Sequence, residues 1–323
     1  MKDGYGREID YLRISVTDRC NFRCRYCMPF EGVPAAHHDE LLSFDDIVQI
    51  ARIANELGIR SFRITGGEPL VRRGLPDLIR ALRDQCDVDD LSMTTNAFLL
   101  PRYARELKDA GLDRVNISID SLDPEKFKWI ARGGDLDTVL RGLDTALEVG
   151  FDPVKTNTVV MAGVNDQEII DIIDFLTIDK PVVARFIEYM PIGEAPRAGL
   201  EYVDLSAKRE ELTEKYGLEP AVPRRGNGPA RYWRVQGGQG MIGFITPISD
   251  KYCATCSRLR LDARGVVRPC LAYDFGVSLK DALRNEGPER VRELIETIIL
   301  KKPDEHHWEI GEVSPVAMSA LGG

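Results

Sequence analysis

The 323-residue sequence has no apolar run long enough to cross a bilayer, which argues against a membrane-spanning helix. It has no solenoid-type repeat and no low-complexity tract. It also lacks any excess of positive charge. Against 43 Lys and Arg stand 52 Asp and Glu, for a net charge of −9, which argues against a nucleic-acid-binding surface. Nothing at the N-terminus has the pattern of a signal peptide. Seven cysteines, an odd number in a long chain, do not suit a disulfide framework. Reduced thiols require a reducing compartment, so a cytoplasmic location is expected. What is present, 43% apolar and 29% charged residues, is the make-up of a globular protein. The length suits one large domain or two ordinary ones.

The cysteines are informative through a missing fourth member. Cys20, Cys24 and Cys27 form C-x3-C-x2-C within RISVTDRCNFRCRYCMP, and Cys253, Cys256 and Cys270 form C-x2-C-x13-C. A structural zinc site normally fills four positions, and four cysteines around a cubane give a closed electron carrier. Three cysteines on one loop can hold three irons of a cubane and leave the fourth open to a small molecule. No fourth Cys or His follows the first triad at ribbon spacing, and His37 and His38, ten residues on, read as loop residues. For Cys253 and Cys256 taken alone, zinc and iron–sulfur readings stand level. Cys86 reads as a small core residue.

The first 190 residues alternate strand and helix signals. Strand-like runs are Ile9–Val16, Ser61–Thr65, Leu91–Thr95, Arg114–Ile119, Val154–Met161 and Val182–Tyr189. Between them, a helix after Ser43 as N-cap ends at Gly58, and Leu75–Arg83, Arg102–Ala110, Leu136–Val149 and Gln167–Leu176 read as amphipathic helices. Such alternation implies parallel strands with helices outside. Six units fall short of an eight-fold barrel, so a partial barrel over residues 1–190 is expected. From about residue 191 to 323 the texture changes to a smaller C-terminal region. It has a helix over Leu205–Tyr216, a flexible loop at Pro223–Pro229, the second cysteine group and an amphipathic helix started by Pro288. The last six residues, Met318 to Gly323, read as a mobile tail.

Other residues add weaker signals. Thr65-Gly-Gly-Glu-Pro69 directly follows the second strand, where glycines let backbone approach a ligand and Glu68 offers a carboxylate. Ser118 points by alternation to the side of Asn116. Met190, taken alone, reads as core packing. Arg13, Arg63, Lys155 and Arg185 fall on strand-like runs, and Arg13 and Lys155 lie among apolar residues, where an unpaired charge would be costly. A phosphate-holding cavity inside the barrel would remove that cost.

With Tyr26 the first triad reads C-x3-C-x-aromatic-C, and in this form it resembles the radical S-adenosylmethionine superfamily. The wider set TDRCNFRCRYCMP, FRITGGEPLVRR, VNISIDSLD, CATCSRLRLDARGVVRPCL and a terminal Gly-Gly resembles one family within it, the GTP 3′,8-cyclases (molybdenum cofactor biosynthesis protein A). The resemblance covers nearly the whole chain and is most specific at Arg258-Leu-Arg260 behind the second triad. It implies a partial (β/α)6 barrel with a C-terminal region carrying a second iron–sulfur cluster. It also implies two [4Fe–4S] clusters, one on Cys20, Cys24 and Cys27 and the other on Cys253, Cys256 and Cys270. Contacts to S-adenosylmethionine would come from Tyr26, Gly67, Ser118 and Met190. GTP contacts would come from Arg13, Arg63, Thr94, Lys155, Arg258, Leu259 and Arg260, with Arg185 added from its strand position. Arg258, Arg260, Gly322 and Gly323 would act at the reacting centre.

The activity implied is the first step of molybdenum cofactor biosynthesis. A 5′-deoxyadenosyl radical removes hydrogen from C3′ of GTP, and C3′ closes on C8 of the guanine. The second cluster holds the purine, and an electron and a proton complete 3′,8-cyclo-7,8-dihydro-GTP. An external electron donor, a downstream cyclic pyranopterin monophosphate synthase and a homodimer belong to the same picture. Two positions depart from the family pattern, Ala97 where Gly is frequent and Ser257 where Asn is frequent. A competing reading is a radical peptide-modifying enzyme with an auxiliary cluster. It calls for an N-terminal peptide-binding extension, for which a first strand near residue 9 leaves little room. A zinc-ribbon module would leave the first triad and the GGEP loop without a role.

Overall fold

A computed structural model of the protein describes residues 1–34, 36–223, 225–226, 228–308, 313–314 and 316–321. Six parallel strands form its centre, β1 (Tyr11–Ser15), β2 (Ser61–Thr65), β3 (Asp90–Thr95), β4 (Arg114–Ser118), β5 (Lys155–Val160) and β6 (Val183–Glu188), each hydrogen-bonded to the next. The helices between them are α1 (Phe44–Glu56), α2 (Leu75–Gln85), α3 (Leu100–Asp109), α4 (Pro124–Ala131), α5 (Leu136–Glu148) and α6 (Ile169–Ile173). Leu12, Ile14, Phe62, Ile64, Leu91, Met93, Val115 and Ile117 share one buried core with the apolar faces of these helices. The intervening strand residues face the other way, into the concave interior.

Local chemistry explains the boundaries. Ser43 caps α1 in a reciprocal box with Asp46, Oγ accepting from Asp46 N at 3.0 Å and Asp46 Oδ2 from Ser43 N at 2.9 Å. The stretch expected as one helix over Gln167–Leu176 is three short pieces. A 3-10 turn leads into α6, and α6 runs on into a π-helical segment over Asp174–Ile178. Within the last piece Thr177 Oγ1 donates to the Ile173 carbonyl at 2.8 Å, the kind of local bond that competes with a regular ladder. His38 opens a single 3-10 turn, His38–Glu40.

The C-terminal part is built into the same sheet. Its strands are β7 (Glu219–Ala221), β8 (Arg231–Arg234), β9 (Met241–Ile245), β10 (Arg258–Leu261), β11 (Val266–Arg268) and β12 (Val277–Ser278), and its helices are α7 (Leu205–Tyr216), α8 (Leu279–Asn285), α9 (Pro288–Leu300) and α10 (Met318–Leu321). β10 pairs parallel with β1 and β9 pairs parallel with β6. The six-stranded core thus gains one parallel strand at each edge, within a continuous sheet of twelve. Residues 318–321 differ from expectation. They form a packed helical turn rather than a mobile tail, with Met318, Ser319 and Leu321 buried, because apolar side chains there meet the cluster of Ile192, Ala272 and Trp308. Gly322 and Gly323 lie outside the described residues. Among the described residues no helix is long and apolar enough to cross a membrane.

Candidate active site

The loop after β1 carries the first triad. Its backbone is zipped to the end of α4, Arg23 N donating to the Ala131 carbonyl at 2.9 Å and Arg25 N to the Ile130 carbonyl at 3.0 Å. The three thiols line one cleft with Tyr26, Gly67, Thr94, Ser118 and Met190, all expected at the site, and with Glu68, Asn96, Asp120 and Asn157. The cleft encloses ≈ 1110 Å³, its open mouth included. Burial pushes the Cys20 thiol up to about 11 and the Cys27 thiol to about 12, and Cys24 rises well above its ordinary value. Cys24 is held up by the other two sulfurs as well as by Asp120. Three buried thiols whose ionised forms would repel one another suit iron as their counter-charge, which would hold them as thiolates.

The GGEP loop is fixed against this segment. Gly67 N donates to the Thr17 carbonyl at 2.7 Å and Glu68 N to the Arg19 carbonyl at 2.8 Å. The Glu68 carboxylate turns inward and accepts from Asn96 N at 2.7 Å, Thr95 Oγ1 at 2.8 Å and Leu70 N at 3.1 Å. Burial raises it to about 7, with those bonds opposing the rise. Asp120 is also buried and raised, to about 6, while it accepts from Tyr26 Oη at 2.7 Å and Val159 N at 2.9 Å. Asp120 is visible in VNISIDSLD only as part of a motif, and its bond to Tyr26 ties the end of β4 to the cysteine loop.

Deeper in the barrel the register gathers charge. Across β10, β1 and β2 the Cα partners are Arg260, Arg13 and Arg63, and the row continues through Ser92 to Arg114. Arg185 pairs in register with Asn157, and Lys155 with Asn116. Arg63, Arg114, Lys155, Arg185 and Arg260 are all buried. Burial depresses Arg13 well below its ordinary value, with Arg260 and Arg63 adding repulsion, and takes Arg63 to about 10. Arg114 is compensated by Asp90, accepting from Nε at 2.7 Å and Nη2 at 2.5 Å. Arg63 donates to Ser92 Oγ at 3.2 Å and Arg185 to Asn116 Oδ1 at 2.7 Å. So many buried cations around one carboxylate suit a polyanion.

The second triad stands beside this row. Cys256 borders Arg258, whose Nη2 lies 3.5 Å from its sulfur. Burial alone would raise the Cys256 thiol, but Arg258 and Lys302 bring it down to about 6. Burial opposes the Arg258 charge, and the Cys256 sulfur with Tyr252 more than restores it. Lys302 Nζ donates to the carbonyls of Arg258 at 2.9 Å and Pro269 at 2.5 Å, and Arg7 Nη1 to that of Cys253 at 2.9 Å. Neither Lys302 nor Arg7 carried a sequence signal, since each sits far along the chain from the cysteines. The Cys253 thiol is raised by burial and by Cys270 and Cys256. Among the described residues no three Cys, His, Asp or Glu side chains lie close enough to share one ion, whereas in a cubane each thiolate meets its own iron. Leu259 alternates with Arg258 and Arg260 along β10. Its side chain is buried in the apolar core, so only its main chain can face the site. Cys86 closes α2, half-buried against that core, with its thiol pushed to about 11 by burial.

A loop-extended partial barrel with an open cysteine triad at its mouth defines a radical enzyme that uses S-adenosylmethionine. Residues 14–176 match the model of the radical SAM superfamily, and residues 182–308 match molybdenum cofactor synthesis C. A GTP 3′,8-cyclase of Petrotoga mobilis is 49% identical over 325 residues, covering 100% of both chains. Those of Alkaliphilus oremlandii and Moorella thermoacetica are 45% and 44% identical, again over 100% of both. The chain belongs to the GTP 3′,8-cyclase family, and its cofactors are S-adenosylmethionine and two iron–sulfur clusters. Among solved structures, Streptococcus suis SuiB bound to S-adenosylmethionine has a TM-score of 0.62 at 16% identity, covering 95% of this chain and 75% of that one. That likeness is one of fold.

Proposed function

We propose that this chain converts GTP to 3′,8-cyclo-7,8-dihydro-GTP, the first step of molybdenum cofactor biosynthesis. The observation that carries this reading is the row Arg260–Arg13–Arg63, which sets three guanidinium groups side by side on the barrel strands, with Arg260 next to Arg258 and the second triad. A triphosphate brings about four negative charges, and charge-assisted bonds from several guanidinium groups hold it in a partly dry site. Arg13, Arg63, Lys155 and Arg185 take the phosphates, with Thr94 at the upper edge, where it lines the cleft. Arg258 and Arg260 orient the nucleotide beside the second triad.

Cys20, Cys24 and Cys27 hold one [4Fe–4S] cluster and Cys253, Cys256 and Cys270 the other. Bound to the first cluster, S-adenosylmethionine supplies the hydrogen-abstracting chemistry. Gly67 lets the backbone approach its methionine end, Ser118 and Tyr26 supply hydroxyls, and Met190 packs on the adenine. The walls exclude water and oxygen and keep the ribose near the reacting carbon. Residues 1–190 form the S-adenosylmethionine domain, and residues 191–323 add the second cluster and part of the GTP site. Gly322 and Gly323, which lie outside the described residues, are assigned to the reacting centre from the family resemblance alone. A cytoplasmic homodimer that receives electrons from an external donor and passes its product to cyclic pyranopterin monophosphate synthase completes the reading.

The test is an anaerobic assay of the reduced, reconstituted protein with GTP and S-adenosylmethionine. The expected products are 5′-deoxyadenosine and a cyclised purine nucleotide. Turnover of a peptide with none of GTP would overturn the reading in favour of a radical peptide-modifying enzyme.

A further inference from the structure

We infer that Lys155 stands uncharged in the free protein and takes up a proton as the triphosphate binds, so that GTP capture is linked to protonation. This rests on the reading that Lys155 meets the phosphates, and adds how the site tolerates its own charge without them.

Lys155 begins β5 and is 1% exposed. Guanidinium groups face it from three strands, Arg63 on β2, Arg114 on β4 and Arg185 on β6. Asp90 stands on β3, the Tyr232 phenol on β8, and the Tyr11 phenol on β1 beside Arg63. The Lys155 Nζ lies 3.2 Å from Tyr232 Oη, over that ring, and 3.1 Å from the Arg225 carbonyl. The Arg225–Gly226 turn closes over it, so tightly that a Cβ on Gly226 would stand 3.0 Å from Arg114 Nη2 and 3.4 Å from Lys155 Nζ. Water is therefore kept from the amine. Asp90 is the one carboxylate among these groups, and both its oxygens are taken by Arg114.

A guanidinium cannot shed its proton in such a place, whereas an amine can. Of the four crowded cations, Lys155 is the group that yields. Burial, then repulsion from Arg185, Arg114 and Arg63, takes it from 10.5 to about 5. A triphosphate reverses the local sign of charge and restores the ammonium form. The sign of the linkage follows. The free protein holds fewer protons than the complex, so raising the pH above the free-state value weakens binding, by up to tenfold per unit, until the bound-state value is reached. A site of arginines alone would bind evenly over that range.

The test is calorimetric titration of GTP into the reconstituted protein at pH 8, without S-adenosylmethionine, in HEPES and in Tris. At that pH the terminal phosphate is already ionised and releases nothing. The difference in observed heat between the buffers gives proton uptake, expected near one per GTP. Affinity is expected to fall several-fold from pH 7 to pH 8. Lys155→Met should bind GTP more weakly, with no uptake and no such fall. Binding of GTP by the unaltered protein without uptake, or uptake that persists in Lys155→Met, would overturn the inference while leaving the GTP reading intact. Absence of GTP binding by the unaltered protein would overturn both.

Discussion

Gly142 of α5 lies against the carbonyl of Ala97, such that a Cβ there would stand 2.5 Å from that oxygen and 3.0 Å from the Ala97 Cβ. Ala97 sits in the left-handed region at φ 60 and is fully buried. The turn after β3 is thus kept without glycine, and α5 gives way by having one. Gly142→Ala should lower stability by about 1–3 kcal/mol, the usual cost of overpacking. Ala97→Gly exchanges left-handed strain for chain entropy and should change stability by less than about 1 kcal/mol. Urea denaturation of the two variants checks both.

Asp90 and Arg114 form a pair inside the barrel, at 0% and 8% side-chain exposure for the arginine and the acid. Asp90→Asn leaves the guanidinium buried without its counter-charge and should cost about 3–5 kcal/mol. The double variant Asp90→Leu with Arg114→Met removes both charges and should lose less than the single one. A thermal or urea midpoint for the double variant at or below that of Asp90→Asn would show that the pair is not what stabilises this end of the barrel.

The barrel was legible because its period is strong. Ser61–Thr65, the helix over about Leu205–Tyr216 and the helix start at Pro288 stand where their local pattern places them. What escaped was set by distant pairing. β10 is four residues long and owes its place to a parallel match with β1, and nothing local announces that. α4 has only Phe127, Ile130 and Ala131 buried, too short a stripe to stand out. At the site, motif residues were visible, but Arg114, Asp90, Lys302 and Arg7 were not, because each is defined by what folds against it. Leu259, expected from the family resemblance alone, has its side chain turned by strand alternation to the face opposite Arg258 and Arg260, in the apolar core.

Metal content separates the two triads. The reconstituted protein should carry about eight irons, two cubanes' worth. Cys256→Ser and Cys24→Ser should each leave about four. Stoichiometric zinc retained at the second triad, measured by elemental analysis, would remove the second cluster from the account.

Arg258→Ala should weaken GTP binding while iron content stays at the unaltered level. One charge-assisted bond is worth about 1.5–3 kcal/mol, so the dissociation constant should rise roughly ten- to hundredfold. Arg258 also lies over the Tyr252 ring at 5.0 Å, and a thermal midpoint measured alongside separates lost packing from lost binding. An unchanged dissociation constant would take this side chain out of the nucleotide site.

Gly67 is where the GGEP loop and the cysteine loop touch. A Cβ on Gly67 would run into the Arg19 carbonyl oxygen, lie 2.6 Å from the Arg19 carbonyl carbon and 2.8 Å from the Asp18 oxygen. All three are backbone atoms, so no side chain can swing aside, and the segment leading to Cys20 must move. Gly67→Ala should therefore act on the first triad alone, lowering stability by about 1–3 kcal/mol and weakening S-adenosylmethionine binding. The row of Arg260, Arg13 and Arg63 lies deeper, on strands whose pairing the change does not touch, so GTP affinity should hold. Parallel titrations with the two ligands read this directly: equal losses for both would mean that the loop governs the whole barrel rather than its mouth.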